Sequence, residues 1–124
     1  MLSSFELRSL RIWLVAITLF ELPNFHEYLI KPNSRLNGFF STLRSAPAEK
    51  RAWCIVLALL CLSRIQAAAY PTSPGTLTHN AAVHVLEAVA LGYEFLYKQS
   101  NGSWSIFSVI VFNAVWFSSA AYRI

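Results

Sequence analysis

The sequence predicts an all-α polytopic membrane protein, a four-helix transmembrane bundle forming one domain over residues 1–124. Three observations carry this. The chain is 56% hydrophobic and only 13% charged, far from the usual balance of a soluble domain. Its apolar residues gather into long runs, and about 20 such residues span a bilayer as a helix. Four spans near 5–22, 52–70, 78–97 and 104–122 with short connections then nearly fill its 124 residues, leaving no room for a separate catalytic domain.

The first span, from about Phe5 to Leu22, has an uninterrupted apolar part of only Ile12 to Phe20. Arg8 and Arg11 would therefore snorkel toward headgroups, and Trp13 would sit in an interfacial aromatic belt. Pro23 and Asn24 end or kink this helix, with Phe25 to Ile30 continuing it or lying at the interface. The basic start followed by an apolar run also resembles a signal peptide. Glu21, Leu22 and Pro23 follow where a small-x-small cleavage site would stand, so an uncleaved span is the reading. Arg8, Arg11, Ser3 and Ser4 fit a mitochondrial presequence in part, and Glu6 does not.

Lys31 to Arg51 reads as a polar connection rich in turn formers, with Leu36 to Leu43 either lying on the membrane surface or forming part of a solvated basic loop. The second span, AWCIVLALLCLSRIQAAAY, carries one charge, Arg64. Cys54 and Cys61 share one face of it, about two turns apart, too far for a mutual disulfide; they read as small apolar fillers. Pro71 to Leu77 holds two prolines and a glycine, which stops the helix and folds the next span back antiparallel. The third span, Thr78 to Tyr97, places His84, Glu87 and Glu94 on one face. Lys98 to Ser103 is a polar turn containing the sequon Asn101-Gly102-Ser103. The last span, Trp104 to Tyr122, has Asn113 as its strongly polar group and Trp104 and Tyr122 as aromatic brackets.

Four spans put Arg8, Arg11 and Arg123 on one side and Lys31, Arg35, Arg44, Lys50, Arg51 and Lys98 on the other. The positive-inside rule then places the second set in the cytoplasm, where the sequon stays unmodified.

Charges inside hydrocarbon need partners. Counted outward from Pro74, Arg64 lies ten residues down one arm, and His84 and Glu87 lie ten and thirteen down the other. A three-residue offset is about 5 Å of helix rise, so Arg64 should pair with Glu87. Glu94 and Arg51, at twenty and twenty-three residues, make a second expected pair near the opposite surface, with Glu21 joining that group. A His and two Glu on one helix face also suit a proton pathway, which a water-filled cavity reaching Glu87 would favour, or a metal. No second ligand set accompanies His84-x-x-Glu87, so structural ion pairs or partner contacts are the preferred reading and no metal or cofactor is expected. The +4 net charge is scattered singly rather than gathered in a stripe with stacking aromatics, which argues against nucleic acid. No catalytic motif such as GxSxG, HExxH or a glycine-rich phosphate loop is present, so the chain is not expected to be an enzyme.

With these charges placed, the chain resembles the ergosterol biosynthetic protein 28 family. Trp13, Leu14, Val15 and Asn24 match its first span, and Lys31-Pro32-Asn33 with Asn37-Gly38 match the segment after it. Arg51, Trp53 and Arg64 keep the spacing of its second span, followed by the alanine-rich Ala67 to Ala69, and Glu94 matches the Glu closing its third. Departures fall at Val56 and Leu57, where the family has Trp-Thr, and at Ala90, where it has His. The resemblance implies a non-catalytic scaffold of the endoplasmic reticulum membrane serving lipid metabolism. Such a scaffold tethers other integral membrane proteins, the oxidase, decarboxylating dehydrogenase and ketoreductase of sterol carbon-4 demethylation. Ala67, Ala68, Ala69, Ala81 and Ala82 suit the close helix approach that such assemblies use. The competing expectation from composition is a supernumerary subunit of a mitochondrial or plastid membrane complex, located in the mitochondrial inner membrane in the first case.

Overall fold

The structure, a computed structural model, describes residues 1–30, 47–97 and 104–124. Over these residues it is all-α, with α1 at Ser4–Ile30, α2 at Pro47–Ala69, α3 at Pro74–Leu96 and α4 at Trp104–Arg123. The expectations for the amphipathic stretch Leu36 to Leu43, the Lys31-Pro32-Asn33 and Asn37-Gly38 matches and the sequon lie outside the described residues.

Helix α1 starts with a capping box that the sequence reading passed over. The Glu6 backbone N–H donates to Ser3 Oγ at 3.1 Å, and the Ser3 N–H donates to Glu6 Oε2 at 2.8 Å. Two otherwise orphaned donors are satisfied by a Ser-x-x-Glu sequence. Leu2 before the cap is buried beside Leu7, which fixes the entry of the chain as a hydrophobic staple does. At its other end α1 runs through Pro23 to Ile30, so the helix is longer than the expected span and the proline does not end it.

The turn between α2 and α3 is also tighter than expected. Tyr70 to Ser73 forms a β-turn closed by the Ser73 N–H donating to Tyr70 O at 3.1 Å, with Pro71 at its second position, where proline's fixed φ fits. Helix α3 begins at Pro74 rather than Thr78. Pro74 occupies the first turn, where its missing N–H has no intrahelical partner to lose. The Thr76 hydroxyl bonds back to Tyr70 O at 2.8 Å and closes the corner.

The four helices alternate in direction. The N-terminus, the 70–73 turn and the C-terminus share one end, where Arg123 of α4 forms an ion pair with Glu6 of α1. That end holds the main core: Leu10, Leu14, Ala67, Ala81, Phe117 and Ala120, drawn from all four helices and nearly sealed. Ala67, Ala68 and Ala81 face inward, whereas Ala69 and Ala82 face outward. Toward the far end the core divides. Cys54, Leu57 and Leu60 pack with Phe25 and Val83, while Leu91 and Ile110 pack separately with Ala88 and Phe107. Both cysteines are free and buried.

Polarity is inverted relative to a water-soluble bundle. Ser63, Arg64, Asn80, His84 and Asn113 are buried. The outward faces instead present Ile12, Val15 and Phe20 on α1, Ile55, Leu59 and Leu62 on α2, Leu86 and Val89 on α3, and Phe112 and Val115 on α4. Exposed hydroxyls turn inward on their own helix, as where Ser108 donates to Trp104 O at 2.7 Å. Among the described residues, two helices are long and apolar enough to cross a membrane, Arg51–Ala69 and Trp104–Arg123; Trp104 and Tyr122 flank the second and are exposed.

Candidate functional site

Apart from Asn113, the buried polar groups are joined into one network centred on Arg64, which is 2% exposed. Arg64 Nε donates to His84 Nε2 at 2.9 Å. Its Nη1 lies 3.5 Å from both Ile17 O and Glu21 Oε1, and its Nη2 lies 4.0 Å from Glu87 Oε2. One guanidinium thus holds α1, α2 and α3 together. Its planar fork explains how: the Nε edge meets an imidazole level with it across the hairpin, and the two terminal nitrogens diverge to carboxylates on two different helices.

Each partner is oriented in turn. His84 Nδ1 lies 2.8 Å from Asn80 O. With Nε2 accepting from Arg64, the ring proton belongs on Nδ1, where it donates to that carbonyl. The ring edge packs on Phe117, with centroids 4.6 Å apart. Asn24 Nδ2 donates to the second oxygen of Glu21, so Asn24, matched to the family only as a motif residue, holds a carboxylate in place. Ser63 Oγ lies 3.2 Å from His79 Nδ1 and 3.4 Å from Asn80 Oδ1. A single hydroxyl proton allows donation to Asn80 together with acceptance from His79.

Two expected placements change. Trp13 is not in an interfacial belt: its Nε1 donates to Asn113 Oδ1 at 2.7 Å, and its ring packs edge-on to Phe112 at 6.0 Å. Asn113, the polar side chain midway along α4, is therefore satisfied by a tryptophan of α1, a pairing across the chain that no local spacing announces. The expected Arg51–Glu94 ion pair is not formed among the described residues; Arg51 is exposed and Glu94 half-buried. Glu21, expected beside that pair, sits on Arg64 instead. A cavity of about 570 Å³ lies between α2 and α3, from Gln66 and His79 on the turn side to Trp53 and Ala90 on the other.

This cavity is walled mainly by apolar side chains, among them Val56 and Leu60 of α2 and Val83 and Leu86 of α3, with Ser63, Gln66, His79 and Glu87 as its polar groups. Glu87 is 9% exposed at its side chain, and its Oε1 is buried without a hydrogen-bond partner. Among the described residues no group of three His, Cys, Asp or Glu side chains could hold a metal ion. Sequence reasoning undervalued Glu21, Ser63, Asn80 and Asn113. Asn80 and His84 are one helical turn apart, which is the signal that could have joined them. No protein-family profile, curated protein or solved structure matches the chain.

Proposed function

We propose that the protein is a four-span membrane bundle acting as a non-catalytic scaffold that holds sterol carbon-4 demethylation enzymes in the endoplasmic reticulum membrane. The observation that supports the membrane part is the inverted polarity, with Arg64 and His84 sealed inside while Leu59 and Leu86 are 61% and 69% exposed. Contiguous exposed apolar surface of this extent fits lipid or protein neighbours rather than water. Helices α1 and α3 cross in this reading despite their charges, because Glu21, His84 and Glu87 meet Arg64 rather than hydrocarbon.

The scaffold role rests on the family resemblance and on the character of the network. Arg64 joins side chains of α1 and α3 to α2, as a framework requires. The apolar walls of the cavity at Glu87 suit an apolar occupant better than a file of water, which favours the framework over a proton pathway. The alternative assignment is an accessory subunit of a mitochondrial or plastid complex, for which the same bundle would serve.

Mild-detergent affinity purification of the tagged full chain, followed by mass spectrometry, tests the proposal. Recovery of the carbon-4 oxidase, decarboxylating dehydrogenase and ketoreductase is the expected result. Recovery of a respiratory or photosynthetic complex instead would replace the sterol role with the accessory-subunit one.

A further inference from the structure

The cavity between α2 and α3 has a property that a framework does not need. Its wall includes Glu87, whose side chain is 9% exposed and whose Oε1 has no hydrogen-bond partner. A buried acceptor left unpaired is costly, and each such atom in a folded protein calls for an explanation. The volume, about 570 Å³, falls within the range of small-molecule sites, and apolar walls with a few convergent polar groups are their usual make-up.

We infer that this cavity binds a lipid alcohol, with the apolar body lying between α2 and α3 and the hydroxyl donating to the Glu87 carboxylate. The inference rests on the membrane reading, since it is from the bilayer that such a molecule would enter. The chemistry of the head group follows by elimination. Glu87 stands thirteen residues beyond Pro74 on a helix of 23 residues, about 20 Å along its axis and hence near mid-depth. An ammonium would have to be stripped of water to reach it, whereas a hydroxyl loses far less. A carboxylate would be set against Glu87 and Glu21, which already share one guanidinium. A hydrocarbon, ester or ether offers no donor and leaves Oε1 unpaired. Ser63, Gln66 and His79 also line the cavity, but Ser63 and His79 bond each other at 3.2 Å and Gln66 and His79 are exposed, so the carboxylate is the buried acceptor with an oxygen left unpaired.

The test uses the purified full chain in lipid nanodiscs with four diazirine-bearing probes of equal length: hexadecanol, its methyl ether, hexadecylamine and hexadecanoic acid. After irradiation, crosslinked peptides are mapped. Hexadecanol should label the facing segments of α2 and α3 about tenfold more than the ether, the difference a hydrogen bond to a charged acceptor makes, and more than the amine or acid. Ala90 lines the cavity and is exposed, so Ala90→Phe should block labelling by every probe while the thermal unfolding profile stays in place. Glu87→Leu should bring alcohol and ether to the same level. Equal labelling of the native chain by alcohol and ether, stronger labelling by the amine or acid, or undiminished labelling of a folded Ala90→Phe variant would each overturn the inference. Alkaline carbonate extraction separates this from the underlying reading. A chain retained in membranes that ignores the head group sinks the lipid site alone, and a chain released by carbonate sinks the membrane reading with it.

Discussion

Arg64 and Arg51 lie thirteen residues apart on one helix and have opposite fates. Arg64, in the half of the bundle nearest the 70–73 turn, is sealed and contacts side chains of α1 and α3. Arg51, near the other end of α2, is exposed and forms no ion pair with Glu94 among the described residues. The same count from Pro74 matches both to carboxylates. It holds for Arg64, beside which Ala67 and Ala81 are nearly fully buried and bring the backbones close. It fails for Arg51, which lies on an exposed side of α2 where no such packing fixes its direction.

The sharpest way to break this comparison is Arg64→Leu. It removes the donor that Glu21, Glu87 and His84 Nε2 share, and should cost about 3–5 kcal/mol, read as a drop in the thermal unfolding midpoint in detergent. The same substitution in a Glu21→Gln, Glu87→Gln background should cost clearly less, because the orphaned charges are gone; an additive sum of losses would dissolve the network as a coupled unit. Next, Ala67→Leu should destabilise by about 1–3 kcal/mol through overpacking at the tight end, whereas Ala90→Phe, on the wall of the cavity, should leave the unfolding midpoint nearly unchanged. Trp13→Phe removes the bond to Asn113 and should cost about 1 kcal/mol, the scale of hydrogen bonds between membrane helices, with the loss visible by the same unfolding measurement. The smallest effect belongs to Arg51→Gln, within about 0.5 kcal/mol of the parent, as for an exposed charge with no close partner. A loss at Arg51 as large as that at Arg64 would erase the contrast altogether.

What the sequence discloses about this fold follows from the lengths of its connections. The α2–α3 register could be counted because the turn is short and its two prolines fix the corner. The count placed His84 level with Arg64 and Glu87 three residues lower, and the structure has them at 2.9 Å and 4.0 Å. The nearer, level partner takes the shorter contact. The position of α1 against α2 could not be counted, since residues 31–46 intervene, so Glu21 was assigned to the wrong end of the bundle. Trp13 with Asn113 is a contact between helices 100 residues apart in the chain; composition showed each group to be out of place in hydrocarbon without showing that they meet. The start of α1 was fully legible in Ser3-x-x-Glu6, and the role of Pro74 as a helix opener rather than a breaker depends on a position within the first turn that spacing alone does not reveal. The cavity between α2 and α3 has no sequence signature.

The short corner at Tyr70 to Ser73 also bears on how the chain is made. Arg64 leaves the ribosome before His84 and Glu87 but after Glu21, so the most costly side chain to expose to lipid always has an acceptor already synthesised upstream. Once the corner closes, its second acceptor arrives level with it on the returning arm. In the proposed four-span reading, the α2–α3 pair is expected to enter the bilayer as one hairpin with its charge internally matched, leaving α4, whose Asn113 waits for Trp13, to close the bundle last.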